Sequence, residues 1–313
     1  MLWLFYILVI TMIVGIPRAL GYHRYGVLWE TFLQELGVDY VVSDSTTLGH
    51  LTEGAKHVVD ESCLPLKVYM GHVASLLNRC DLILVPYFRQ LGREDEFCVR
   101  FWGLYDMVQN TFAGAKLLTY PLLSSRPGHQ IAGFIQMGKT LGKNPLSSLR
   151  AYKTALSKQH SADKSRLEEG QIALANDGPK ILLAAQPYMA SDTLFGGTLA
   201  NLIRKQGATP LFPDAWDRSI CRNRSRELSS DLYWTTNREV MGAIQEARSQ
   251  VDGIILLTAF PCGSDCLTNE IILRRVRDLP IIQILLDDGQ GMAGLETRIE
   301  SFLDMIAQRK RAI

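Results

Sequence analysis

A chain of 313 residues is long for one ordinary hydrophobic core, so two domains of roughly 150 residues each are expected. With 47% hydrophobic and 21% charged residues it has a globular composition, and a net charge of +1 gives no electrostatic reason for a nucleic-acid or acidic-membrane partner. Six cysteines over this length are too sparse for a disulfide scaffold, so reduced thiols and a cytoplasmic location are expected.

Residues 1–11 read as an apolar N-terminal extension. The run Leu2 to Ile16 has no positive charge ahead of it and no small-residue cleavage site, unlike a signal peptide. It is also shorter than the ~20 residues of a spanning helix. Ile13 to Ile16 is the first strand, and Met12 is an alternative start. A membrane anchor is the minor alternative.

The pattern that follows is α/β: two Rossmann-like, doubly wound parallel-sheet domains joined by a helical connector. In the first domain, residues 12–144, Tyr25 to Leu36 has helical spacing and Gly37 is a natural residue beyond the helix end. Asp39 to Ser43 is a short strand, Leu48 to Val59 a helix, and Asp81 to Pro86 the third strand. A polar loop carrying Cys98 leads to a helix over Trp102 to Phe112 and a strand over Lys116 to Tyr120. Residues 145–177 form a charged helical connector ended by Asn176-Asp177-Gly178-Pro179, strong turn punctuation. Residues 178–313 repeat the architecture, with strands at Lys180 to Ala185, Thr209 to Phe212, Gly253 to Ala259 and Ile281 to Leu286. Their helices are expected at Leu194 to Lys205, Arg238 to Gln250 and Leu295 to Gln308.

Cys63, Cys98 and Cys262 share one context, since each follows or borders a strand end and precedes a helix. In doubly wound domains such loops cluster on the rim where ligands bind. Convergent thiolates bind zinc or an iron–sulfur cluster, and a helix N-terminus favours the thiolate. The competing reading is packing, because isolated cysteines are usually buried and inert. Cys80, at the wrong end of its strand, and Cys221, in an arginine-rich loop, read as structural. Cys266, one helical turn after Cys262, is a further metal donor or a packing residue.

Other groups carry double readings. His72 donates to a sulfur or substrate, or is satisfied by backbone. Asp60 and Glu61 cap the next helix or do acid–base work. Asp287 and Asp288 reach the rim, where at most one of two adjacent residues faces the site. A classical nicotinamide or ATP site is not expected. No catalytic residue is assigned.

The blocks GIPRAL with YHRYGVLWETFLQELG, VDESCLPLKVYMGHV, VDGIILLTAFPCGSD and AGLETRIESFLDMI occur in that order. Together they resemble the activase-related proteins of the 2-hydroxyacyl-CoA dehydratase system, including the dehydratase D-component. The resemblance implies a [4Fe–4S] or double-cubane cluster between the two domains, with Cys63, Cys98 and Cys262 as ligands. It implies an ATP-hydrolysing iron–sulfur activator as electron donor. The acceptor is a hard-to-reduce substrate, an acyl-CoA or a small molecule, which the dehydratases dehydrate through a ketyl radical. A dimer is a further expectation. Three departures stand out: Val99 follows Cys98 in place of proline, CGSDC replaces CGPDS, and DDGQGMAG stands for DEHTGEAG. The missing histidine and glutamate of that last loop motivate the alternative function, a non-enzymatic electron relay or scaffold that binds the activator.

Overall fold

The computed structural model describes residues 12–90, 95–122, 127–288 and 294–311. The expected extension over residues 1–11, and the loop positions 289–293 at which the histidine and glutamate were missed, lie outside the described residues.

The first half contains β1 (Ile13–Ile16), α1 (Tyr22–Glu35), β2 (Asp39–Val42), α2 (Leu48–Ala55), α3 (Leu64–Leu76) and β3 (Leu82–Leu84). It continues through β4 (Tyr87–Phe88), α4 (Val99–Trp102), α5 (Leu104–Thr111), β5 (Leu117–Leu118), β6 (Pro121–Leu122) and α6 (Pro127–Thr140). A single 30-residue helix, α7 (Pro145–Leu174), follows, capped by Asn144, whose side chain accepts from the Ser147 amide. The second half contains β7 (Lys180–Ala184), α8 (Pro187–Ala190), α9 (Thr198–Lys205), β8 (Thr209–Leu211), α10 (Arg218–Arg224) and α11 (Thr235–Ala247). It closes with β9 (Gly253–Ala259), α12 (Gly263–Arg275), β10 (Ile281–Leu286) and α13 (Leu295–Arg311).

Both main sheets are parallel and wound alike, in the orders β2–β1–β3–β5 and β10–β9–β7–β8. Each begins on an inner strand, steps outward once, then crosses back to the other side. Each therefore has a topological switch point, between β1 and β3 and between β7 and β9, where loops diverge and leave a crevice. The all-apolar runs of β7 and β9 follow from burial on both faces. Ile181, Leu183, Ile255 and Leu257 join a core shared with the first half, while Leu182, Ala184, Ile254 and Leu256 face a second core under α11 and α12.

Several elements depart from the sequence reading. The helix expected over Trp102 to Phe112 is broken at Gly103 into α4 and α5, and the strand expected over Lys116 to Tyr120 shortens to β5 followed by β6. Cys221 lies in a helix, α10, rather than a loop. Asp217 caps that helix by accepting from the Ser219 and Ile220 amides. Gly37 does adopt the left-handed conformation, at φ +59°.

The crossing of α2 over α3 depends on two glycines. A Cβ at Gly54 would stand 1.7 Å from the Lys67 carbonyl oxygen, and one at Gly71 would stand 1.8 Å from that of His50. The obstacle is backbone and cannot rotate away. Gly71→Ala is therefore expected to cost at least about 1–3 kcal/mol, seen as a lowered midpoint in chemical unfolding. An unchanged midpoint would contradict so close a crossing.

The two halves are tied together at several points. Arg24 on α1 donates twice to Glu239 on α11, at 2.7 and 3.0 Å, and Arg222 donates to the same carboxylate at 2.5 Å. Glu96 exchanges backbone hydrogen bonds with Tyr233 and Thr235, both 2.9 Å. The buried Lys67 ammonium on α3 pairs with Asp288 at the end of β10. Beside it, the Leu64 amide donates to the Phe260 carbonyl at 3.0 Å.

Candidate cysteine site between the halves

Cys63, Cys98 and Cys262 occupy the same local position, the residue immediately before a helix: α3, α4 and α12 respectively. Each is partly buried. None of the three side chains makes a capping hydrogen bond. The amides of Leu66, Arg100 and Asp265 nevertheless favour the anion at Cys63, Cys98 and Cys262 in turn. Burial is the stronger influence and pushes all three thiols up. Left alone at neutral pH they are thiols, and a coordinated metal would deprotonate them.

The three cysteines share one environment. After burial, the charge of Cys98 raises Cys63, and Asp265 and then Cys63 raise Cys262. Tyr188 on α8 is pushed well above its ordinary value by burial and then by Cys262, Asp265, Cys63 and Cys98 together. These groups therefore lie within electrostatic reach of one another. Phe101, on the helix that Cys98 begins, meets Tyr188 at a ring separation of 6.0 Å. Leu64, next to Cys63, is bonded to Phe260, two residues before Cys262. Cys262 and Tyr188 follow β9 and β7, so both lie at the switch point of the second sheet.

Residues unmarked in the sequence complete the site. Asp265 is buried, and its Oδ1 accepts from Gln186 Nε2 at 2.7 Å and from Asn237 Nδ2 at 2.8 Å. Burial raises its pKa while those two donors and the Cys262 thiol lower it. The Ser264 hydroxyl lies 3.4 Å from Cys262 Sγ. The available signal for Gln186 and Tyr188 was position: QPYMA follows a buried strand at its carboxyl end, on the same rim as the cysteines.

Other expected groups fall elsewhere. Cys80 Sγ donates to the Leu76 carbonyl at 3.2 Å, at the far end of β3. Cys221 is buried under α11, where a Cβ at Gly242 would stand 1.7 Å from its carbonyl oxygen. Cys266 is exposed. Asp60 and Glu61 are exposed and do not cap α3, because Cys63 takes that position. Of the adjacent aspartates, Asp288 faces Lys67 while Asp287 accepts from the Asp288 amide at 2.7 Å.

His72 is fully buried and is satisfied by hydroxyls, neither by sulfur nor by backbone. Thr46 gives its proton to Asp192 and so accepts from His72 Nε2 at 3.0 Å. Ser43 accepts from the Arg18 amide and donates to Nδ1 at 2.9 Å. Burial, then His50, holds His72 down to about 3, and burial, then Arg18, holds His23 down to about 4. Both stay neutral in the fold while the unfolded chain takes up protons below its ordinary pKa of about 6.5. Their stability contribution is thus complete above pH 6.5 and is lost as pH falls toward 4 and 3. By pH 5 the loss is ~2 kcal/mol per histidine, partly offset by Asp192, whose buried carboxyl is shifted upward. The urea midpoint is expected to fall between pH 7.5 and 5, and His72→Gln should flatten that slope. A midpoint independent of pH would contradict the buried neutral imidazoles.

Among the described residues no three His, Cys, Asp or Glu groups stand close enough to hold one metal ion, so a mononuclear zinc centre does not fit. An iron–sulfur cluster asks for something else. Each iron takes its own thiolate, so the donors must ring a pocket rather than meet at a point. Cys63, Cys98 and Cys262 come from three separate helix starts, and among the described residues no three such donors meet at one point.

Residues 13–215 match the family described as CoA enzyme activase uncharacterised domain (DUF2229). The chain belongs to that family. The match to this CoA enzyme activase domain takes in Cys63 and Cys98 and stops ahead of Cys262. No curated protein matches. Among solved structures, FpvC of Pseudomonas aeruginosa in complex with Mn2+ covers 96% of this chain and 98% of its own at 13% identity, with a TM-score of 0.28. A sugar transporter from Clostridium phytofermentans covers 95% and 93% at 9% identity, with a TM-score of 0.19. At such scores the likeness says nothing of what this activase-related domain binds. No helix among the described residues is long and apolar enough to cross a membrane.

Proposed function

We propose that this activase-related chain is an iron–sulfur protein. In this reading Cys63, Cys98 and Cys262 hold a [4Fe–4S] or double-cubane cluster, and an ATP-hydrolysing activator supplies the electrons. The acceptor is a hard-to-reduce substrate, an acyl-CoA or a small molecule. The observation that carries the reading is that Cys63, Cys98 and Cys262, from both halves, each take the position just before a helix and all lie near enough to Tyr188 to influence its titration. Bound there, the cluster would supply one-electron chemistry at low potential.

The chain's own residues hold and enclose that site. Backbone amides at the starts of α3, α4 and α12 stabilise thiolates against the cost of burial. Gln186 and Asn237 fix Asp265 beside Cys262, where the ionised form of this carboxyl would disfavour added electron density and so lower a potential. Lys67 with Asp288 closes the rim on one side. Three thiolates leave a fourth position for substrate or for another donor, and Cys266 is near enough in sequence to be tested in that role.

Val99, Phe260 and Leu267 are 66%, 47% and 50% exposed, and each stands within five residues of a site cysteine. Large apolar side chains around a buried redox site suit a docking protein, which supports the activator as partner. The same observation favours a second reading, an electron relay with no small-molecule substrate. Protein purified without oxygen is expected to be brown, with iron, acid-labile sulfide and a paramagnetic signal on reduction. Stoichiometric zinc without sulfide defeats the iron–sulfur reading. Turnover decides between the two: oxidation of the reduced protein only by a second protein, and never by acyl-CoAs or small acceptors, selects the relay.

A further inference from the structure

Behind α8 lies a cavity that the cysteine site does not use. Pro187 and Ala190 form one wall, while Tyr188 on the same helix looks toward the cysteines. Its polar lining includes His23, Arg166, Asp214, Arg218 and Glu239. Its interior measures ≈ 30 Å³, room for about two waters, and it opens past Arg166 and Arg218, whose side chains are 33% and 24% exposed.

The floor of this cavity is short of an acceptor. The His23 side chain is 9% exposed and its Nε2 has no hydrogen-bond partner; the nearest carboxylate oxygen, Asp192 Oδ2, is 3.8 Å away. A buried polar group left in this way is destabilising unless something binds it. The adjacent Arg24 has its Nε buried and unpartnered too, and so has Arg18. The surrounding field is positive, since Arg18 and Arg166 reinforce burial in keeping His23 unprotonated. Of the acidic groups around it, Glu239 is already held by Arg24 and Arg222, and Asp163 pairs with Arg166 at 3.5 Å and with Arg218 at 3.2 Å, which leaves each guanidinium its other donors. Asp214 is buried with a raised pKa and is opposed by Arg166 and Arg218.

We propose that this cavity binds a small carboxylate monoanion, clasped at its mouth by Arg166 and Arg218 and at its floor by the Nε2–H of neutral His23. A guanidinium fork matches a planar carboxylate, and the Asp214 wall disfavours the second charge of a phosphate dianion. The site is independent of the cysteines, so it stands or falls apart from the iron–sulfur reading.

The test is calorimetric titration of the whole protein with sodium formate, sodium acetate and inorganic phosphate, at ionic strength matched by chloride. Saturable formate or acetate binding is expected, with phosphate weaker. Arg218→Gln and His23→Leu should each weaken it ~10-fold or more, the worth of one charge-assisted hydrogen bond, while His23→Gln, which keeps a donor, should weaken it less. Ser191→Leu, at an exposed wall position, should block the mouth even if a buried variant does not fold. The proposal is overturned by absence of saturable carboxylate binding, by tighter binding of phosphate, or by unchanged binding in folded Arg218→Gln and Ser191→Leu. Iron content should be the same in all these variants.

Discussion

Alanine in place of Cys63, Cys98 or Cys262 is expected to strip most of the iron and acid-labile sulfide from protein prepared without oxygen, each substitution alone sufficing. The three residues arrive from helices in both halves, and each thiolate would serve a different iron, so none can stand in for another. Cys80→Ala and Cys221→Ala provide the contrast. Their sulfurs lie in packed positions, one bonded to the Leu76 carbonyl and one under α11, and iron content should be retained. Cys266→Ala is informative either way, since loss of about a quarter of the iron would mark it as the fourth donor of a four-iron cluster. Full iron in Cys63→Ala or Cys98→Ala would remove the proposed role of both halves in the site.

The second large effect belongs to the ion pair between the halves. Arg24 is buried, and burial, the largest single influence, would lower its pKa, but the charge and hydrogen bonds of Glu239, together with the nearby Tyr25 and Asp163, outweigh it and leave it raised. Glu239 shows the mirror image, burial raising it and Arg24 bringing it down. Glu239→Gln leaves Arg24 buried and uncompensated, and is expected to cost about 3–5 kcal/mol in chemical unfolding. Arg24→Met with Glu239→Leu removes both charges, and Arg222, with a side chain 26% exposed, returns to water. The double variant should therefore be more stable than Glu239→Gln alone. If it is the less stable of the two, the pair is a net source of stability and the desolvation argument fails.

The inner strands were legible because they are covered on both faces, and runs such as KILLA and GIILLTA admit little else at that length. What escaped depends on contacts no single segment carries. The stretch SICRNRSREL reads as a loop since its own apolar content is low. It becomes a helix because Asp217 caps it and Glu239, Glu246 and Glu227 take up its arginines. Cys98 was placed by its neighbourhood, yet the break at Gly103 that leaves α4 as one short turn was not visible in FWGLYDM. For the site, the position of each cysteine ahead of a helix was readable, since that is a local property. Asp265 and its two amide donors were not, because Gln186 stands just ahead of α8 and Asn237 lies on α11, and they acquire a role only when β7, α11 and α12 are packed.

The bond from the Leu64 amide to the Phe260 carbonyl has a consequence for how the protein matures. It joins two segments far apart in the chain, and the donors on either side of it become neighbours only after synthesis has passed the ninth strand and the late segment has docked. On the proposed reading, assembly machinery would therefore meet a complete donor set only on a finished chain. A ribosome-bound fragment that ends before Cys262 would offer just two of the three sulfurs, and insertion of the inorganic centre would be a late event in biogenesis rather than a nucleus for folding.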